Sequence, residues 1–153
     1  MTEDVAAELA ALDFASVTPE EFATIVKGLS RAQLAQVATG ELRERVLAEV
    51  FGRMERQFRP ENAGSLSAVI RWKITGESEV VYETAIENGT CTVTKGASAR
   101  TARVTLSMAD ADFLKLASGN STPVGLFLSR KVRAVGDLGL AAGLSRLFDI
   151  PKV

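Results

Sequence analysis

The sequence predicts an α+β fold: a helical first third, then a sheet that is at least partly antiparallel, then short helices alternating with strands. Three observations predict it. Through the first sixty residues apolar side chains recur at helical spacing. From Ser65 the period drops to two. Asn88-Gly89 sits between two β-rich runs, the strongest short hairpin signal a sequence carries. At 153 residues the chain is long enough, as one domain, to bury roughly two thirds of the surface its unfolded form exposes.

Each element has a local cause. "TPEEF" from Thr18 offers a cap, a proline at the first helical position and an acid at the third, with Phe22, Ile25, Val26 and Leu29 on one face. Ser30 with Gln33 repeats the cap for a helix through Val37, ended by Gly40. A longer helix is predicted from Glu41 to Phe58, striped by Leu42, Val46, Leu47, Val50, Phe51, Met54 and Phe58. Glu41/Arg45, Glu49/Arg53 and Glu55/Arg59 stand four apart on its wet side, each pair worth a few tenths of a kcal/mol. Pro60 stops it. In "LSAVIRWKI", Leu66, Ala68, Ile70, Trp72 and Ile74 share one face and Arg71 and Lys73 the other. "ARVTLSM" puts Val104 and Leu106 inward, and Ser107 with Asp110 predicts a capping box for the helix "ADADFLKLASG", closed by Gly119. Thr122-Pro123 opens a further short helix with Leu126, Phe127 and Leu128. "KVRAV" is a strand ending at Gly136, after which Asp137 caps a helix that is apolar on nearly every face as far as Phe148.

Composition excludes whole classes of function. Eighteen basic against nineteen acidic residues, net charge −1, give no broad positive field for nucleic acid, so no nucleic-acid partner is implied. The chain has no histidine and one cysteine, Cys91, which removes histidine-based triads, Cys-His pairs, the usual zinc sites and any internal disulfide. The first residues carry acids rather than a basic leader, and no apolar run approaches the ~20 residues of a membrane span, so a cytoplasmic protein is expected. No metal and no cofactor is implied. The glycine-rich run "GDLGLAAGL" is no phosphate cradle, because Gly136, Gly139 and Gly143 are spaced by three and four rather than as G-x-G-x-x-G.

The polar candidates have structural explanations. Cys91 shares a strand face with Val93 and has no imidazole to activate it. Asp110 and Asp112 suit the first turn of a helix, Asp137 suits a cap, and Tyr82 is an aromatic on a sheet. Arg71, Lys73, Arg103, Lys131 and Arg133 form an outward basic stripe that could meet anionic headgroups, but Glu79, Glu83 and Glu87 beside it favour cross-strand pairing. The apolar residues of the three late helices either fill a core or line a cavity, and periodicity does not separate the two.

"FLKLASGNSTPVGLFLSRKVRAVGDLGLAAGLSRLF" closely resembles the C-terminal half of the sterol carrier protein 2 family, the sterol-transfer domain. The matching features are Leu116 and Gly119 closing a helix, Pro123 to Phe127, then Lys131, Val132, Ala134, Gly136 and Asp137, then the apolar Leu138 to Phe148. "VTLSMADADFL" is similar to the family's strand-to-helix step and "YETAIENGTCTV" to its central hairpin, so the resemblance runs from about Val46 to Lys152. Ala134 is smaller than the family's usual Ile or Val, which would enlarge the interior. Residues 1–45 form a helical extension ahead of the domain, 46–153, and would cover an entrance or make a dimer contact.

The resemblance implies a five-stranded, mostly antiparallel sheet covered by helices and enclosing a hydrophobic tunnel that binds acyl chains, acyl-CoA, sterols or similar lipids without transforming them. Carried over by position, the ligand contacts are Phe51 and Met54 on the first domain helix, and Ile70, Trp72, Val104 and Leu106 on the sheet. Phe113, Leu116 and Phe127 follow on the middle helices, and Leu140, Leu144, Leu147 and Phe148 on the terminal one. A terminal helix loosened by Gly139 and Gly143 would open to admit ligand. Its partners would be a hydrophobic small molecule, a membrane surface touched transiently, and a second copy of the chain through the N-terminal helices. Two rivals remain open: a biosynthetic enzyme or accessory acting on a polyene or polyketide-like chain in the same cavity, with Asp112, Asp137 or Tyr82 as polar partner, and an interaction module built on the helices Phe22 to Leu29 and Leu42 to Phe58.

Overall fold

The computed structural model describes residues 18–37 and 39–149. The acidic N-terminal stretch and the last residues of the expected resemblance, 150–152, lie outside the described residues. Four helices come first: α1 (Pro19–Lys27), α2 (Arg31–Val37), α3 (Gly40–Gln57) and α4 (Pro60–Ala63). Strands β1 (Ala68–Thr75), β2 (Val80–Glu87), β3 (Thr90–Lys95) and β4 (Val104–Ala109) follow, then α5 (Asp110–Ala117), α6 (Pro123–Leu128), β5 (Val132–Gly136), α7 (Leu138–Ala142) and α8 (Leu144–Leu147).

Local chemistry sets most boundaries. The Thr18/Glu21 capping box forms in both directions at 3.1 and 3.0 Å, and Ser30 with Gln33 does the same for α2 at 3.1 and 2.8 Å. Asn88 and Gly89 both have positive φ, 52° and 73°, the backbone of the tight turn that lets β2 and β3 pair without splaying. The cap expected from Ser107 does not form. β4 keeps pairing with β1 as far as Thr75↔Ala109, so Ser107 is a strand residue, Ala109 occupies the cap position without a side-chain bond, and α5 starts directly from the strand.

The sheet runs in the order β3-β2-β1-β4-β5. Three of its four pairings are antiparallel; β1 and β4, at the centre, are parallel. The architecture is therefore the expected α+β, five-stranded and mostly antiparallel. The residues after β3 cross the outer face, where Arg71 and Glu83, partners in the β1–β2 register, form a salt bridge of 2.7 Å and bind the crossing backbone: Arg71 Nη2 donates to the Arg100 carbonyl at 2.9 Å, and the Ser98 N–H donates to Glu83 at 3.1 Å. Burial pushes the Glu83 carboxyl up, but the Ser98 donors and Arg71 outweigh it and hold the group below the usual carboxylate range. The outer face is thus held by cross-strand charge pairing at this point.

All the large inward side chains of β1, β2 and β4 pack under helices. Phe51 of α3 is fully buried, stacked on Tyr82 at 4.0 Å and Phe113 at 4.6 Å with Trp72 edge-on at 6.0 Å. Arg43, near the start of α3, is buried and donates to Asp110 at 2.9 Å and to the carbonyls of Ser78 and Ile74 at 2.7 and 3.2 Å, so one guanidinium joins α3, the β1–β2 turn and α5. Gly76 makes room for it: a Cβ there would collide with the Asp110 carboxylate. Val26 and Leu34 of α1 and α2 belong to the same core, and Asn120 Nδ2 donates to the Ala23 carbonyl at 3.1 Å. Of the pairs expected on the wet side of α3, Glu49 pairs with Arg53 at 2.9 Å, but Arg53 is buried; Arg59 instead reaches Asp149 at 2.8 Å and Glu55 accepts the Val93 N–H at 2.6 Å.

Candidate functional site

Between β4, β5 and the late helices lies an apolar chamber of about 200 Å³. Its floor is made by cross-strand partners that face inward by alternation, Leu106 opposite Ala134 and Met108 opposite Val132. α5 contributes Leu116; α6 contributes Pro123, Val124, Leu126 and Phe127; α7 contributes Leu138, Ala141 and Ala142, and α8 Leu144. The space exists because small side chains face it where larger ones would fill it: Ala134 on the edge strand and Ala141 and Ala142 opposite. No wall side chain carries a charge, an oxygen or a nitrogen. Val124, Phe127 and Leu138 are each about half exposed, at 49%, 50% and 52%, so the chamber reaches the surface between α6 and α7.

A side chamber of about 40 Å³ adjoins it, sharing Leu116, Pro123 and Leu144 and bounded beyond them by Val50, Met54, Trp72, Phe113 and Phe148. The indole of Trp72 is already satisfied, donating to Thr84 Oγ1 at 3.0 Å, while that hydroxyl donates to the Met54 sulfur at 3.2 Å. The polar side chains on the rim of this side chamber are Gln57 and Ser145.

The expected contact residues divide into three groups. Leu106, Leu116, Phe127 and Leu144 line the larger chamber, and Met54, Trp72, Phe113 and Phe148 the smaller. Phe51, Ile70 and Val104 are fully buried and line neither; Phe51 is enclosed by its aromatic neighbours, and Ile70 and Val104 are register partners in the packed part of the sheet. Leu140 and Leu147 lie on a shallow depression with Asn62 and Leu66. The cause is a break in the expected terminal helix. Gly143, at ψ 3°, separates α7 from α8, so residues 140, 144 and 147, which a continuous helix would align, no longer share a face. Met108 and Val132 line the chamber without being among the expected contacts, and they carried a usable signal: each is two residues from another inward position on its strand.

The polar candidates stay outside the chamber walls. Asp137 caps α7 by accepting the Leu140 N–H at 3.0 Å and stands 3.7 Å from Arg103. Asp112 is buried, at 2% exposure, and borders an open depression on the far side of β5. Burial, with Glu44 adding to it, pushes the Tyr82 hydroxyl up. Burial and then the charge of Glu55 push the Cys91 thiol up to about 12, so it is protonated and unreactive at neutral pH. Among the described residues no group of three or more His, Cys, Asp or Glu could hold a metal ion, and no helix is long and apolar enough to cross a membrane.

Comparison with known proteins identifies this architecture. Hydroxysteroid dehydrogenase-like protein 2 of Xenopus laevis is 31% identical over 101 residues, 66% of this chain but 24% of that protein, so the chain spans about a quarter of that relative's length. Among solved structures, sterol carrier protein 2 of Yarrowia lipolytica in its apo form shares the fold at TM-score 0.56 and 18% identity, over 67% of this chain and 86% of that one. Palmitated SCP2L2 from Aedes aegypti aligns at TM-score 0.54 and 20% identity, over 67% and 90%. The profile of the SCP-2 sterol transfer family matches residues 51–149, an interval that contains the whole sheet, every residue of the larger chamber and the helices that close it: the chain belongs to that family.

Proposed function

We propose that this protein reversibly binds and carries a lipid or another hydrophobic small molecule, holding its hydrocarbon part in the chamber between β4, β5, α6 and α7. The observation that carries the reading is a chamber of about 200 Å³ with purely apolar walls that reaches the surface. Burial supplies the affinity: at ~0.8 kcal/mol per methylene, ten carbons give on the order of 8 kcal/mol, against ~1 for a net hydrogen bond. Association costs of roughly 4 kcal/mol or more offset part of it, which suits exchange. The walls hold no group that could take a proton or attack a bond, so retention is favoured over turnover. That palmitate occupies a protein of the same fold agrees with this reading.

Size sets a condition. A dry cavity of ~150 Å³ accepts a benzene ring, and pockets for drug-sized ligands run ~300–1,000 Å³. The closed chamber thus holds a short hydrocarbon, and a long chain requires α6 and α7 to move outward, the smaller chamber then extending the path. Both walls are lightly anchored, because Leu126 is the one buried residue of α6 and Ala141 that of α7. Native mass spectrometry of the purified protein should show a bound apolar species released by organic solvent. Titration with a long alkyl chain should change the fluorescence of Trp72, the single tryptophan, which faces the smaller chamber. A protein that is always empty and whose tryptophan ignores alkyl chains of every length would refute the reading.

A further inference from the structure

The basic stripe expected on the outer face does not act as a unit. Arg71 is taken up by Glu83, and Arg103 faces Asp137 and donates to the Ser67 carbonyl at 2.9 Å. Arg133, Lys131 and their neighbour Arg130 form no ion pair among the described residues. All three border a depression across the ends of β1 and β4 and the start of β5 that shares Met108, Phe127, Val132 and Ala134 with the chamber. Its one acid, Asp112, is buried. Phe127 and Leu128 line the same depression, and Val124 and Leu138 line the adjoining chamber; these are four of the five most exposed large apolar side chains among the described residues, with Leu128 at 75%.

The end of α6 carries a second sign. The Lys131 N–H bonds the Leu126 carbonyl and the Arg130 N–H the Phe127 carbonyl, a cap whose extra residue adopts the left-handed conformation; Arg130 has φ 61°. α5 ends in the same cap, with Gly119 at φ 80° in that position, where glycine sits without strain. At α6 an arginine occupies the strained site, and its backbone gains nothing from being arginine.

We infer that the α6–β5 corner, with Val124, Phe127, Leu128 and Leu138 as apolar contacts and Arg130, Lys131 and Arg133 as cations, docks the chamber mouth onto an anionic lipid bilayer. The inference deepens the carrier reading and rests on it, since it places the opening against the source of the cargo. Exposed apolar side chains enter the headgroup region while the cations meet lipid phosphates and carboxylates, and each cation raises partitioning roughly fivefold. Interfacial contact also lowers the cost of exposing α6 and α7 when they part.

Flotation of the full chain with phosphatidylcholine vesicles, with and without phosphatidylserine, tests it. Binding should rise at least about tenfold with phosphatidylserine and fall as salt is added. Lys131→Gln with Arg133→Gln should lower it roughly twentyfold, and Leu128→Ser should lower it on both kinds of vesicle. Arg130→Gly should lower it roughly fivefold while the melting temperature holds or rises, a combination that a merely structural arginine would not give. Binding indifferent to phosphatidylserine, or unaltered in these variants, overturns the inference, whether the true partner is an acidic protein or another face of this one. Loading of a neutral fluorescent alkyl probe in vesicle-free buffer separates the two readings. A protein that loads the probe but ignores vesicles loses the docking surface and keeps the carrier reading; one that floats with vesicles but never loads loses the carrier reading.

Discussion

The two halves of the interior are built from the same sheet and differ in kind. Under α3, Phe51, Tyr82, Phe113 and Trp72 interlock face to face and edge to face, and Phe51 has no exposed surface. Under α6 and α7, the edge strand presents Val132 and Ala134, the helix above presents alanines, and about 200 Å³ stays open. Large rigid rings on long, central elements make a solid block, whereas small side chains on an edge strand and on helices of five or six residues leave space and the means to enlarge it. Stability and capacity are thereby assigned to different places.

The sharpest way to break this contrast is to hollow the solid half. Phe51→Ala should cost about 3–5 kcal/mol in denaturant unfolding. A loss below about 1 kcal/mol would mean that the aromatic block is not the anchor. Filling the hollow half should do the opposite: Ala134→Phe is expected to leave stability within about 1–3 kcal/mol while cutting alkyl-probe loading about tenfold or more, read by probe fluorescence at equilibrium. Stiffening the lid is gentler. A Cβ at Gly139 would meet Asp137 Oδ1 at 3.4 Å and one at Gly143 the mobile tip of Arg146 at 3.1 Å, so both sites accept alanine. The pair Gly139→Ala and Gly143→Ala should add about 0.5–1 kcal/mol per site and slow ligand exchange; an exchange rate that does not change rules out movement at these glycines. The last effect is read against pH and concerns Cys91, at the edge of the solid half. An unfolded thiol ionises near ~8.5, whereas this one is held up to about 12, so stability kept below the first value declines as pH climbs towards the second. Unfolding measured across that range should flatten in Cys91→Val.

What was legible in the sequence was whatever a few neighbouring residues decide. The Thr18 and Ser30 caps, the Asn88-Gly89 turn and the alternation along β1 appear as read, because each depends on contacts within a turn or a strand. The contact residues follow from position along the chain alone, and tertiary contacts decide which of them border the chambers. Phe51, Ile70 and Val104 have the right chemistry and the right face, but the rings around Phe51 close that part of the sheet. Leu140 and Leu147 point elsewhere because the backbone turns at Gly143. Ser107 lost its capping role because β4 keeps pairing with β1 for two residues beyond it, to Ala109. Asp110 answers to Arg43, sixty-seven positions earlier, a contact no window along the chain contains.

That last contact redraws the working limits of the unit. The family profile begins at residue 51, inside α3, but the guanidinium that neutralises Asp110 and ties off the β1–β2 turn comes from residue 43, on the same continuous helix. Excising the matched interval would take the counter-charge of Asp110 away together with the buried Val46, Leu47 and Val50, and loss of one partner of a buried pair costs by itself about 3–5 kcal/mol. Anyone grafting this domain onto another protein should therefore cut ahead of Gly40 rather than where similarity starts, since the matched interval borrows its closing bolt from the segment in front of it.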